Sequence, residues 1–184
     1  MSIRYVDPCA ERGWFYRAHG RLKCTRLFQR LALTRIWGAV LWPIDRALLR
    51  LTDGRVGTAS PVVTALLQTQ GARTGHMRST GVIYFHDGDR VTIIASNAGR
   101  PGNPSWFYNA RANPDVLLGG QPFQAELVED EASRQRLWEL ADRVFPAFAS
   151  YRETAARTGR TIPILQLSAG VRGSSPRVGF RKAP

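Results

Sequence analysis

Residues 79–96 read STGVIYFHDGDRVTIIAS, and this stretch decides the fold class. Val82, Ile83, Tyr84 and Phe85 make a β-forming run, and Val91, Thr92, Ile93 and Ile94 make another. Between them Asp87-Gly88-Asp89 is a strong tight-turn signal, so the pattern predicts a hairpin with strands at 79–86 and 90–96. Upstream, residues 62–69 form a short apolar run bounded by Ser60-Pro61 and Gln70-Gly71, which predicts a third strand. Downstream, a loop rich in Gly, Pro and Asn at 97–103 leads into a short helix at 104–112 with Pro104 as its first residue, stopped by Asn113-Pro114. Residues 115–118 and 123–128 make a second hairpin across Gly119-Gly120. Glu129, Asp130 and Glu131 suit the N-terminus of a helix whose apolar face is Leu137, Leu140, Ala141, Val144, Phe145 and Phe148. A further helical stretch carries Tyr151, and residues 162–167 read as the last strand. Tight turns between consecutive strands require antiparallel pairing. Six short strands of this kind close into a small barrel with helices packed outside, so the expected class is α+β.

The chain has 184 residues, 43% of them hydrophobic and 22% charged, which suits one folded domain with an appended arm and excludes wholesale disorder. Lys and Arg number 26 against 14 Asp and Glu, a formal charge of +12, and only Lys23 and Lys182 are lysines. Such an excess of arginine suits an anionic partner, since guanidinium forks match phosphate and carboxylate oxygens, although a GC-rich genome produces the same bias. Residues 1–57 hold 11 of the basic residues and four acids. Within them Trp37, Val40, Leu41, Ile44, Leu48 and Leu51 recur at spacings of three and four, which predicts an amphipathic helix bent or restarted at Pro43. This helical arm can pack on the domain or lie on an anionic membrane surface, and both readings stand. The domain itself is expected at 58–168 and a flexible basic tail at 169–184.

Cys9 and Cys24 lack neighbouring ligands at metal spacing, so zinc is excluded and two reduced thiols are expected. No apolar run is long enough to span a membrane, and the N-terminus lacks the apolar core of a secretory signal. These features predict an intracellular, cytoplasmic protein. Basic residues are not interleaved with exposed aromatics in any nucleic-acid-binding pattern, so no nucleic acid is expected as partner.

Catalytic side-chain sets are not apparent. His19, His76 and His86 are scattered, with His86 expected at the surface beside a turn and His76 in a Gly-rich loop. There is no G-x-S-x-G elbow. Two loops are more informative. Gly71-Ala72-Arg73-Thr74-Gly75-His76-Met77-Arg78 offers glycines for close approach, a hydroxyl and two guanidinium forks, a suitable set for a phosphate. It matches neither a Walker A loop nor a dinucleotide fingerprint. Ala95-Ser96-Asn97-Ala98-Gly99 leaves room for a flat ring, and it runs through Asn103 to Trp106 at the start of the short helix.

Residues 66–114, reading LLQTQGARTGHMRSTGVIYFHDGDRVTIIASNAGRPGNPSWFYNARANP, with FPAFASYRETAARTGRTIPILQL at 145–167, resemble the deazaflavin-dependent nitroreductase family. The similarity covers about residues 37–168. It implies a split β-barrel related to pyridoxamine phosphate oxidases and flavin reductases, and coenzyme F420, an 8-hydroxy-5-deazaflavin with a phosphate and a glutamate tail. FMN is the alternative cofactor on the same barrel. The resemblance assigns the coenzyme phosphate to Gly71, Arg73, Thr74, Gly75, Arg78 and Ser79. It assigns the ring to Ala95, Ser96, Asn97, Ala98, Gly99, Asn103 and Trp106, with Asn109 on the helix that closes over this loop. It matches Tyr151 to a tyrosine lining the acceptor side, where Tyr151 is also the expected catalytic proton or hydrogen-bond donor, with Phe148 and Tyr84 as further acceptor contacts. The sequence departs from the family at Ala72, where Arg is frequent, at Arg73, where Lys is usual, at Asn97, where many members carry Lys, and at Phe148, where some carry Tyr. An oxidoreductase passing a hydride from reduced F420 to a quinone, enone or nitroaromatic is the implied function. A non-catalytic F420-binding or membrane-surface protein and an FMN reductase are the alternatives, and either a monomer or a homodimer is compatible.

Overall fold

A computed structural model describes residues 3–10 and 63–170. Its elements are β1 (Thr64–Gln70), β2 (Met77–Asp87), β3 (Arg90–Ile94), a 3-10 turn (Asn97–Gly99), α1 (Ser105–Ala112), β4 (Asp115–Leu118), β5 (Gln121–Leu127), α2 (Glu131–Val144), α3 (Ala147–Ala156) and β6 (Ile164–Ala169). The six strands form a closed barrel in the order β1-β2-β3-β6-β5-β4, with every pairing antiparallel. This is the α+β barrel expected from the turn spacing. Both hairpins fall on the predicted turns, with Asp87 opposite Arg90 and Leu118 opposite Gln121.

Register fixes what faces inward. Tyr84 pairs with Ile93, which pairs with Leu165, and Ala65, Leu67, Leu118 and Val116 continue the same buried lining. Alternation is clean on β1, where Ala65, Leu67 and Thr69 are buried and their neighbours only partly so. The helices cover the outside. At the start of α2, Asp130 accepts a 2.7 Å bond from the Ser133 amide, and that bond holds the carboxyl below its ordinary range. The buried face of α2 is Leu137, Ala141 and Val144. Arg136 on its outer side grips both carboxylate oxygens of Asp87 at 2.6 and 2.7 Å, fastening the helix to the first hairpin turn. The same contact is the main reason the Asp87 carboxyl sits below its usual range.

Several boundaries shift. β2 starts at Met77, so Arg78 and Ser79 belong to a strand, opposite Thr69 and Gln68. Pro104 is the cap before α1, with extended backbone, and the helix begins at Ser105. The last strand runs to Ala169, which pairs with Phe123, and the Gly170 amide donates to Pro122, so the tail expected from residue 169 begins no earlier than 171. Residues 171–184 lie outside the described residues.

The largest departure concerns the N-terminus. Residues 3–10 are non-helical and lie against the barrel. Val6 is buried and exchanges two bonds with His86: its amide donates to Nδ1 at 3.0 Å, and its carbonyl accepts from the His86 amide at 2.9 Å. The ring of Tyr5 lies 4.5 Å from that of His86. Ile3 packs so closely on Gly119 that a Cβ there would stand 2.5 Å from its Cγ2, and Gly119 with Gly120 also supplies the positive φ of a two-residue hairpin turn. His86 is therefore half-buried, not the surface residue expected, and burial pulls its pKa down. The predicted arm helix, over residues 37–51, lies outside the described residues.

Candidate functional site

Two loops meet on α1. The first turns back on itself, with the Gly71 amide donating to His76 at 2.9 Å and the Gly75 amide to Gly71 at 2.8 Å. Its side chains at Arg73, Thr74 and His76 are exposed, and so is Arg78 on the adjoining strand. Neither arginine has an acidic partner among the described residues. The loop is anchored from α1 by Asn109, a buried residue. Asn109 Oδ1 accepts from the Ala72 amide at 3.0 Å, and Nδ2 donates to Thr69 Oγ1 at 3.1 Å, so both ends of the amide are satisfied inside the core.

The second loop runs from Ala95 to Asn103 and feeds directly into α1. Ala95 and Gly99 are buried, Ser96 and Asn97 half-buried, and Ala98 exposed. Three successive residues take left-handed backbone, Asn97 (φ 50°), Ala98 (φ 53°) and Gly99 (φ 75°). Asn97 Nδ2 donates to the Gly102 carbonyl at 3.1 Å. Gly99 abuts α3: a Cβ on it would meet the Tyr151 carbonyl and the Thr154 side chain at 3.1 Å. Glycine is needed there for both φ and space. The contact packs the small-residue loop against the backbone of α3 at Tyr151.

The guanidinium of Arg160 holds this loop from the far side. It donates to Asn103 Oδ1 (2.9 Å) and to the carbonyls of Ser96 (3.0 Å), Arg100 (2.7 Å) and Ala95. Burial lowers its pKa from the usual arginine value, partly opposed by Tyr108.

The remaining candidates divide. Tyr151 is half-buried on α3, its ring 6.1 Å from Phe145 and 6.3 Å from Phe148. Phe148 is enclosed between Trp138, Phe145 and Tyr151, and reaches the site only through the tyrosine. Trp106 is half-buried on α1 and packs against the core. Tyr84 goes elsewhere. It is buried on the inward face of the barrel, and its hydroxyl donates to the Arg4 carbonyl at 2.9 Å. That places it at the N-terminal plug, away from the two loops, and burial raises its pKa. Residue spacing gave no sign of Arg160, which sits in a TGRTIP stretch resembling any helix-to-strand connection. Asn109 had a signal, a polar residue on a helix face between Phe107 and Ala110, both buried.

A groove of about 410 Å³ lies beyond α1, lined by Phe107, Leu127, Val128, Glu129, Glu131, Arg134, Thr161 and Pro163. It contains none of the candidates, and Arg134 there is spent on Glu131 and on the carbonyls of Val128 and Ile162.

A closed six-stranded antiparallel barrel with helices outside and two loops meeting on α1 is a split-barrel fold. Comparison with known proteins makes this specific. The profile of the F420H(2)-dependent quinone reductase family matches residues 44–168, and the chain belongs to that family. The F420H(2)-dependent quinone reductase of Mycobacterium tuberculosis H37Rv is 34% identical over 143 residues, covering 74% of this chain and 95% of that protein. Among solved structures, an F420-H2 dependent reductase, FDR-A, is 30% identical with a TM-score of 0.50, covering 57% of this chain and 93% of its own. A protein described as a domain-swapped dimer is 27% identical with a TM-score of 0.51, covering 68% and 99%. The nitroreductase label of the sequence reading is the broader wording of the same assignment. Family membership makes the chain an oxidoreductase that works with coenzyme F420.

Proposed function

We propose that the protein reduces quinone-type acceptors at the junction of the two loops and α3. The observation that supports this reading is the contact of Gly99 with the Tyr151 backbone, which sets the 95–99 loop against the helix that carries Tyr151. The residues present fit the coenzyme. Arg73 and Arg78 are exposed cations without acidic partners among the described residues, beside a glycine loop whose Thr74 hydroxyl is also accessible. These groups, with the half-buried Ser79, suit a phosphate. Residues 95–99 carry only short side chains, a composition that suits a flat ring laid against this loop.

Reduced F420 supplies the hydride, from C5 of its ring. The chain's own work is to bind the anionic tail, hold the ring face toward Tyr151 and keep water from that face. A quinone that accepts a hydride becomes a hydroquinone monoanion and needs one proton to complete the reduction. We assign that proton to Tyr151, whose hydroxyl hydrogen goes to the oxyanion and is recovered from solvent. Phe148 backs the Tyr151 ring and fixes its tilt.

Titration with F420 and, separately, FMN, followed by ring fluorescence, tests the cofactor. Saturable binding of F420 alone is expected, since the family is F420H(2)-dependent. Oxidation of reduced F420 by a soluble benzoquinone or naphthoquinone then tests the reaction. Preference for FMN, or an enzyme that binds F420 and reduces no quinone, would refute the proposal. For residues 1–57 the membrane-surface reading stands on charge and amphipathic spacing. No helix among the described residues is long and apolar enough to cross a membrane. Co-sedimentation of the full chain with anionic and with neutral vesicles would decide it, equal binding to both counting against an electrostatic surface role.

A further inference from the structure

We propose that Arg160 is the positioning residue that gives the 95–103 loop its ring-binding shape, an inference that rests on the ring-placing role assigned to this loop above. Arg160 follows α3 and precedes β6, roughly sixty residues along the chain from the loop it holds. One planar cation gathers acceptors from Ala95, Ser96, Arg100 and Asn103, which are spread over the whole loop. A lysine could not do this, because its donors radiate from a single point, whereas the guanidinium presents a rigid fork.

The loop needs such a clamp. Left-handed backbone is disfavoured for residues that carry a Cβ, yet Asn97 and Ala98 adopt it in succession. A run of this kind persists only where surrounding contacts over-determine it. Gly99 against α3 and the Arg160 fork are two such contacts, beside the loop's own bond from Asn97 Nδ2 to the Gly102 carbonyl.

The direction of the carbonyls explains the benefit. In a trans peptide the C=O and the following N–H point opposite ways. Drawing the Ala95 and Ser96 carbonyls onto Arg160 therefore turns the amides of Ser96 and Asn97 to the opposite face. Ser96 is right-handed (φ −64°, ψ −34°) and Asn97 left-handed, the alternation in which successive amides form a concavity for electronegative atoms. Neither amide bonds to another described residue. The ring edge of a deazaflavin, with its carbonyl oxygens, is the chemistry that such a face receives. Arg160 touches neither coenzyme nor acceptor in this arrangement and acts through the backbone it holds.

The test uses the full-length protein, Arg160→Gln, Arg160→Lys and Arg73→Ala. Amide hydrogen exchange at residues 96–100 without ligand reports the loop directly. Fluorescence titration with F420 and with the ring compound lacking the phosphate and glutamate tail reports binding. Arg160→Gln is expected to speed exchange at 96–100 about tenfold or more and to weaken both ligands by the same factor, about tenfold, the scale of losing charge-assisted hydrogen bonds. Arg73→Ala should weaken intact F420 and leave the tail-less ring unchanged. Arg160→Lys keeps charge and stem, and should remain folded with exchange between wild type and Arg160→Gln; it carries the same measurements if the glutamine variant does not fold. Unchanged exchange, or faster exchange with wild-type affinity for the tail-less ring, would overturn the proposal. If wild type binds neither ligand, the ring-binding reading fails with it, while the exchange data still show whether Arg160 holds the loop.

Discussion

The loop at 71–76 places its chemistry in exposed side chains, Arg73 and Thr74, and its own backbone closes in a simple turn anchored by Asn109. The loop at 95–103 has almost no side-chain chemistry. Its shape is imposed by Arg160 behind it and by α3 against Gly99. A loop of the first kind tolerates changes in stability terms and loses ligand when a cation goes. A loop of the second kind should fail when its scaffold is touched, even by a methyl group.

Gly99→Ala gives the largest break in that comparison. The new Cβ needs left-handed backbone and meets backbone atoms of α3. About 3 kcal/mol of destabilisation is expected, a drop in Tm of about 6–12 °C by thermal scan, together with loss of F420 binding. Gly75→Ala in the first loop meets only Gln70 Nε2, at an ordinary 3.8 Å, and should cost about 1 kcal/mol, from its φ of 68°. Asn109→Ala comes next. It strands the Ala72 amide and the buried Thr69 hydroxyl, at about 2 kcal/mol, and should loosen the first loop without disturbing exchange at 96–100. A wild-type Tm for Asn109→Ala would show that the first loop stands without its anchor. Arg73→Ala should leave Tm unchanged and weaken F420 about tenfold, the value of one charge-assisted contact.

The smallest effect concerns His86. Its folded-state pKa lies below that of the unfolded chain because burial disfavours the imidazolium, and its Nδ1 lone pair is in use by the Val6 amide. The unfolded state then takes up a proton first as pH falls. Stability attributable to His86 is complete above the unfolded value, near 6.5, and is lost as pH drops from there through the depressed folded value. Denaturant midpoints between pH 8 and 5 should slope downward for wild type and flatten for His86→Gln. Identical slopes would remove His86 from the account.

The same contrast explains what was legible. Turn spacing and β-forming runs are local, so both hairpins and the antiparallel order follow from residues 62–128, and the barrel once the run at 162–167 is added. Arg73, Thr74 and Arg78 stood out as candidates by residue type, and the structure shows all three exposed. Arg160 was hidden, because an arginine sixty residues from its acceptors has no local pattern. Tyr84 misled for the reverse reason. A tyrosine in a strand reads alike whether its ring points to a ligand or, as here, down the barrel toward Arg4, and only register distinguishes the two. Residues 3–10 were invisible as a barrel plug, since their partners Tyr84, His86 and Gln121 lie far along the chain.

The strand order carries one more consequence, for how the chain reaches this state. β6 is the last strand in sequence, yet it lies between β3 and β5 and pairs with both along its length. Before it arrives, the meander β1-β2-β3 and the hairpin β4-β5 meet only where Leu67 and Gln68 face Leu118 and Leu117. During synthesis the nascent sheet therefore carries two unpaired edges, on β3 and β5, until residue 169 is available to close them. Such late, non-local closure is intrinsically slow and leaves strand edges open to neighbouring chains. A chain cut before Ile164 should accumulate as aggregate, whereas one cut after Gly170 keeps every strand pair of the barrel.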